Sequence, residues 1–203
     1  MRWDMSMARL LTILARFESR STPRAQGHHL PRLLVLSDDT RGYPITRQLA
    51  LWPTGAAFIE RTFGRQAHMK AKGSASTVRL ATCSPCEARA AKLDGLHWPQ
   101  KRLAKRVKSS TKGLIETASA HRGLAIATAM RGGIDAILVS TAFASDSPSA
   151  SSPVGPVRLA MLQRAFPRAR LYALGGITHQ TAKQLKRTRI YGVALVSFKY
   201  KES

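Results

Sequence analysis

The stretch "LYALGGITHQTAKQLKRTRIYGVALVSFKY", Leu171–Tyr200, holds the pattern that decides the fold. An apolar run, Leu171–Leu174, stops at Gly175-Gly176-Ile177. Helical periodicity follows over Thr178–Lys186, and a second apolar run occupies Gly192–Val196. Two short apolar runs joined by a helix form a βαβ unit, because parallel strands need a crossover between them. Both strands then end at the same edge of the sheet.

The same rhythm extends back through the chain. Further candidate strands are Arg32–Ser37, Ala56–Glu60, Val78–Thr82, Gly95–His97, Leu114–Thr117 and Ala136–Ser140. Helical periodicity is found at Ile45–Trp52, Pro85–Leu93, Gly123–Arg131 and Val157–Phe166. Strands alternating with helices predict a parallel sheet. Eight such strands in 203 residues predict one compact (β/α)₈ barrel, with a doubly wound open sheet as the competing topology. Residues 1–31 read as an N-terminal helix and polar lead-in, and residues 32–203 as the barrel. Met1–Arg16 is Arg-rich and amphipathic like a transit peptide, but Asp4 and Glu18 favour a native lead-in helix. The Ser- and Pro-rich stretch Thr141–Pro156 is flanked by the same strand–helix pattern on both sides. It therefore reads as a long loop over the catalytic face rather than a domain linker.

Composition narrows the function classes. The apolar fraction of 44% is that of a globular chain, and no apolar run approaches the roughly 20 residues of a membrane helix. The formal charge is +22, from 33 Lys and Arg against 11 Asp and Glu. Such a balance attracts polyanions, yet the basic residues are dispersed and only 6% of the chain is aromatic. The sequence reading therefore favours a solvated basic surface over a nucleic-acid footprint. Cys83-Ser-Pro-Cys86 cannot build a four-cysteine zinc site. Placed between a strand and a helix, it allows a lowered thiol pKa, but it reads best as two reduced cysteines in a turn.

Five motifs carry a family resemblance. "DGLHWP" (Asp94–Pro99), "ETASAHRGLAIATAMRGGIDAILVSTAF" (Glu116–Phe143), "GPVRLA" (Gly155–Ala160), "YALGGIT" (Tyr172–Thr178) and "YGVALVS" (Tyr191–Ser197) occur in one order. They resemble the thiamine phosphate synthase and TenI family, a TIM-barrel family of thiamine biosynthesis. "LLVLSDD" (Leu33–Asp39) and "AAFIERTF" (Ala56–Phe63) extend the likeness towards the N-terminus. The resemblance implies a transferase that joins hydroxymethylpyrimidine diphosphate to thiazole phosphate and releases pyrophosphate. The family's other branch implies an isomerase, a thiazole tautomerase.

It also implies a site. Gly175 and Gly176 at the seventh strand end, with Val196 and Ser197 at the eighth, would hold a phosphate on backbone N–H groups. His121 matches a family His used by the tautomerase branch, and imidazole in general suits proton transfer near neutrality. Arg61, Ser119, Ser140 and Ser147 are further substrate-pocket candidates. His97 reads as structural rather than catalytic.

The chain departs from the family pattern where magnesium would bind. Where the family has Asn-Asp, this chain has Ala81-Thr82 or Thr82-Cys83. Where it has a second Asp, this chain has Trp98–Arg102. Phe63 replaces a lysine, for which Arg65 is the nearby substitute, and Phe143–Ser147 keeps hydroxyls without a lysine. No metal ligands are assigned, and Mg²⁺ is expected only with synthase activity. Two alternatives to the synthase stay open: a metal-free tautomerase using His121, and a non-catalytic binder of a phosphorylated ligand or nucleic acid. Expected partners are small thiazole and pyrimidine phosphates, with no membrane; cytoplasmic location is expected, and homo-oligomerisation is left open.

Overall fold

The computed structural model describes residues 5–15, 30–37, 56–61, 77–145 and 152–196. Its strands are β1 Leu33–Leu36, β2 Ala57–Glu60, β3 Arg79–Ala81, β4 Gly95–Trp98, β5 Ile115–Ala120, β6 Ala136–Ser140, β7 Leu171–Leu174 and β8 Gly192–Val196. The described α-helices are α1 Met5–Ala15, α2 Pro85–Ala90, the single turn α3 Gln100–Leu103, α4 Gly123–Arg131, α5 Gly155–Ala165 and α6 His179–Leu185. The expected helix Ile45–Trp52 lies outside the described residues.

The eight strands pair in sequence order, all parallel, and close into a barrel. Closure is the pairing of β8 with β1, where Leu33, Leu34, Val35 and Leu36 stand opposite Val193, Ala194, Leu195 and Val196. This excludes the open-sheet alternative. Because the strands bury both faces, they read as continuous apolar runs, and alternate residues serve two different cores. Leu34, Leu36, Ile59, Leu80, Ile115, Leu138, Tyr172 and Ala194 fill the barrel interior. Val35, Phe58, Leu96, Ala118, Val139, Ala173 and Leu195 face outward, against Ala88, Ile126, Leu159 and Ala182 of the surrounding helices. Helix α1 packs beside α6, and its Leu10, Ile13 and Leu14 join this outer core.

β1, β2 and β3 are a residue or two shorter than the sequence expectation, and two strands run on beyond it. β4 includes Trp98, and β5 continues past Thr117 to Ala120. Ala118-Ser119-Ala120 has little intrinsic strand preference, but register imposes it: Ala118 pairs with Trp98 and Ile137, and Ala120 with Val139. The long loop after β6 is tied at its base, where Val154 N–H donates to Thr141 O at 2.8 Å and Gly155 N–H to Ala142 O at 2.9 Å. Both of its flanks belong to one barrel. No helix among the described residues is long and apolar enough to cross a membrane.

On the outer face of β5, Glu116 is buried and takes four bonds' worth of neighbours. Trp98 Nε1–H donates to it at 2.8 Å, Thr111 Oγ1–H at 3.0 Å, and the largely buried Arg106 guanidinium forks onto both carboxylate oxygens. Removing one charge leaves the other buried without a counter-ion. Glu116→Gln is expected to lower unfolding free energy by about 3–5 kcal/mol. The double replacement Glu116→Leu/Arg106→Met is expected to recover most of that loss in denaturant titrations. Equal losses in both would contradict this account.

Candidate active site at the C-terminal mouth of the barrel

Parallel pairing sends all eight strand C-termini to one rim, and the inward residues nearest that rim form the floor of a mouth. One side of the floor is apolar, with Leu36, Leu174 and Val196. The other side is polar, with His97, Thr117, Ser119 and Ser140 at inward positions of β4, β5 and β6, and Arg61 just beyond β2.

The polar half is held by one chain of hydrogen bonds. His97 and Thr117 are paired in register, and His97 Nδ1 lies 2.9 Å from Thr117 Oγ1. Thr117 Oγ1–H donates to Leu96 O at 3.2 Å, so its oxygen accepts from His97 Nδ1–H. His97 Nε2 is then the acceptor, and the Ser119 hydroxyl, 2.9 Å away, donates to it. Ser119 is left with an oxygen that accepts from a ligand. Burial pushes the His97 pKa down to about 3, with the Arg61 guanidinium adding to the effect. The ring is neutral and fixed, in keeping with a structural role. Arg61 Nε–H donates to Ser37 O at 2.6 Å, and its backbone N–H to Ser37 Oγ at 2.9 Å.

His121 follows β5 directly and is exposed. Its Nδ1 lies 2.9 Å from Ser140 O and 3.1 Å from Ser140 Oγ. A carbonyl only accepts, so Nδ1 carries a proton, and in the neutral ring the lone pair is on Nε2. Backbone N–H of His121 donates to Gln100 Oε1 at 2.9 Å. The two histidines therefore differ: His97 has both ring nitrogens engaged, while His121 Nε2 has no partner among the described residues.

The Gly175-Gly176 turn closes against the start of the β6 loop. Ala142 N–H donates to Leu174 O at 2.8 Å, and Phe143 N–H to Gly175 O at 3.1 Å. Both glycines have positive φ, +99° and +63°. A Cβ on Gly176 would stand 2.3 Å from Ala144 O, so the position admits no side chain. Thr178 then caps α6, accepting from Thr181 N–H, while Thr181 Oγ1–H donates to Gly176 O at 2.9 Å. The backbone N–H groups of Gly176 and Ile177 find no acceptor among the described residues.

β7 and β8 are parallel neighbours, so Val196 ends at the same rim as this turn. Ser140 pairs with Leu174, which brings the His121 anchor beside the Gly175 strand end. The fold thus gathers His121, Ser119, Ser140, Arg61, Gly175, Gly176 and Val196 at one mouth. Ser147 and Ser197 lie outside the described residues, as do Phe63 and Arg65. Thr117 was not singled out by sequence; its register opposite His97 is the signal, and that is a tertiary property.

A magnesium site does not fit the described residues at the mouth. Glu60 and Glu116 lie on the outward faces of their strands, and Glu87 caps α2 through Ser84. Asp94 and Asp135 sit at the opposite end, accepting from Arg79 N–H and Glu116 N–H. No described cluster of three or more His, Cys, Asp or Glu side chains is placed to hold a metal. Cys83 and Cys86 are both free, and burial pushes the Cys83 thiol up to about 11, with Glu87 and Glu60 adding to it. That is opposite to the lowered pKa a redox dithiol needs.

A closed ring of eight parallel strands alternating with helices defines a (β/α)₈-barrel protein. The chain belongs to the thiamine monophosphate synthase family, whose model matches residues 86–198. Among solved structures it is similar to thiamine phosphate pyrophosphorylase from Pyrococcus furiosus, with TM-score 0.63 and 18% identity over 82% of this chain and 85% of that one. It is also similar to 2-keto-3-deoxy-6-phosphogluconate aldolase of Zymomonas mobilis ZM4, determined with 3-phosphoglycerate. There the TM-score is 0.54, with 16% identity over 93% of this chain and 85% of that one. At these identities the likeness is one of fold. No curated protein sequence matches the chain.

Folding keeps His97 neutral, whereas an unfolded His takes up a proton below about pH 6.5. Stability is therefore fully present above that pH and is lost as pH falls from about 6.5 towards about 3. The expected slope reaches about 1.4 kcal/mol per pH unit within that window. His97→Gln should flatten it in unfolding curves compared across pH; a variant with the parental slope would refute the buried, neutral ring.

Proposed function

We propose that this protein binds a phosphorylated thiazole at the C-terminal mouth and moves a proton on the ring through His121, without a metal ion. The observation that carries the reading is the His121–Ser140 pair. With Nδ1–H committed to a carbonyl, the neutral ring presents its lone pair on Nε2 at the rim. It takes a proton from one ring position and returns it at another, so no atom is gained or lost and no second substrate is needed.

The remaining residues supply binding. The N–H groups of Gly176 and Ile177, without an acceptor among the described residues, suit phosphate oxygens in a turn where Gly176 brings no side chain. Val196, at the neighbouring strand end, adds to that grip, and Ser197 is assigned to it from the family pattern. Leu36, Leu174 and Val196 offer an apolar wall to the heterocycle, while Ser119, its proton given to His97, accepts from a ring donor. Arg61 adds positive charge on the polar side, and Ser140 orients the base. Ser147 is assigned to the same pocket from the family pattern.

Condensation with release of pyrophosphate is the family's other chemistry. It asks for a cation clamp on the departing group. The strand ends that carry the family's carboxylates hold Thr82-Cys83 and Trp98–Arg102 here. Proton transfer asks for one positioned base, and His121 is one.

The test is deuterium exchange into a thiazole phosphate carboxylate or its tautomer, followed by NMR in the presence of a chelator. Turnover should persist with chelator, and His121→Ala should lower kcat by about 10²–10⁴-fold. Gly176→Ala, which forces a Cβ towards Ala144 O, should raise the Kd for the phosphorylated compound while leaving its dephosphorylated analogue unaffected. Magnesium-dependent pyrophosphate release from the two synthase substrates, with no exchange in the single-substrate assay, would overturn the proposal.

A further inference from the structure

Among the described residues, the opposite end of the barrel gathers a group of basic side chains. Each described helix runs antiparallel to its strand, so the helix-to-strand connections all lie at the strands' N-terminal rim. The connections entering β4, β5, β6, β7 and β8 are residues 91–94, 104–114, 132–135, 166–170 and 186–191. Together they contain ten Lys and Arg and two Asp. The described connections at the mouth hold only Arg61 and Arg122.

The imbalance is larger in charge that reaches solvent. Lys92, Lys108, Lys112, Arg168, Arg187 and Arg189 are all exposed. Asp94 and Asp135 are partly buried and spend carboxylate oxygens on backbone N–H groups of Arg79 and Glu116. Glu87, the one exposed carboxylate among the described residues, sits at the N-terminus of α2 and so at the other end. Compensation of helix dipoles accounts for a cation in each last turn, such as Arg131 or Lys183. It does not call for the further cations in the connections beyond.

We infer that this N-terminal face of the barrel is a docking surface for the phosphate backbone of double-stranded nucleic acid. Each of its connections leads directly into a buried strand. It spans five adjacent strands, on the order of 20 Å at the sheet itself. A duplex offers one phosphate charge per about 1.7 Å of axis, enough to meet six or more cations on such a width. Base stacking does not contribute: Tyr191 is buried under the Arg32 guanidinium, and Phe166 is half-buried. Binding is therefore blind to sequence and favours duplex over single strand. A lipid surface fits less well, because peripheral membrane binding needs apolar side chains that insert. Val107 is the single large apolar residue exposed on these connections.

The experiment is fluorescence anisotropy of a labelled 25-base-pair duplex of arbitrary sequence, titrated with the full chain. Affinity should fall at least about 10³-fold between 50 and 200 mM salt, as expected for about six phosphate contacts. Lys108→Gln/Lys112→Gln/Arg187→Gln, checked for fold by circular dichroism, should reduce the log–log salt slope by about 2.7. No duplex binding at low salt would overturn the inference, as would an unchanged slope in the triple variant. Tighter binding of the single strand, or capture by phosphatidylserine vesicles in place of duplex, would also overturn it.

Discussion

Everything in this molecule rests on the closure between the last strand and the first. A parallel strand without a partner on one side leaves a row of unpaired N–H and C=O groups, and here no strand does. The seam is reinforced at its N-terminal end. Tyr172 and Tyr191 donate to Pro31 O and Leu30 O at 2.7 Å each, and Arg32 reaches Tyr191 O at 2.6 Å. These bonds tie the segment entering β1 to the starts of β7 and β8. They fix where the ring begins, and thereby which residues face its centre.

Closure also separates two ends with different tasks. At the C-terminal end, inward positions alternate out of the apolar interior and reach a rim where polar side chains have partners on neighbouring strands. His97 and His121 illustrate how depth decides chemistry for one residue type. The first lies within the strand layer, neutral and fully occupied. The second lies one residue beyond a strand and keeps a nitrogen available.

At the other end, short connections return from helix to strand and leave long basic side chains in water. The proposed site and the described basic face lie at opposite ends of the barrel, so a small anion at one and a large one at the other need not compete. The departures from the family pattern belong to the same picture. The described residues at the mouth bring no carboxylate cluster together, while the Gly175–Gly176 turn offers backbone N–H groups that depend on fold and not on side chains.

Much of this was legible beforehand. β6, β7, β8 and α4 have the bounds that the apolar runs and their glycine or charged punctuation indicate. Such segments are long enough for periodicity to speak, and their ends are set by local backbone preference. The Gly-Gly turn and His121 were singled out on the family resemblance, and both stand at the C-terminal rim. The end of β5 was not legible: Ala118-Ser119-Ala120 is extended only because β4 and β6 flank it. The Thr117–His97–Ser119 chain depends on a register between strands about twenty residues apart, and no local signal records register. Likewise the count of basic residues was written in the sequence, but which of the described ones share the N-terminal face was not. By itself the sequence determined which segments become strands and helices, through side-chain periodicity and backbone preference. Only the tertiary structure decided which distant residues meet, because that follows from how the closed sheet aligns its strands.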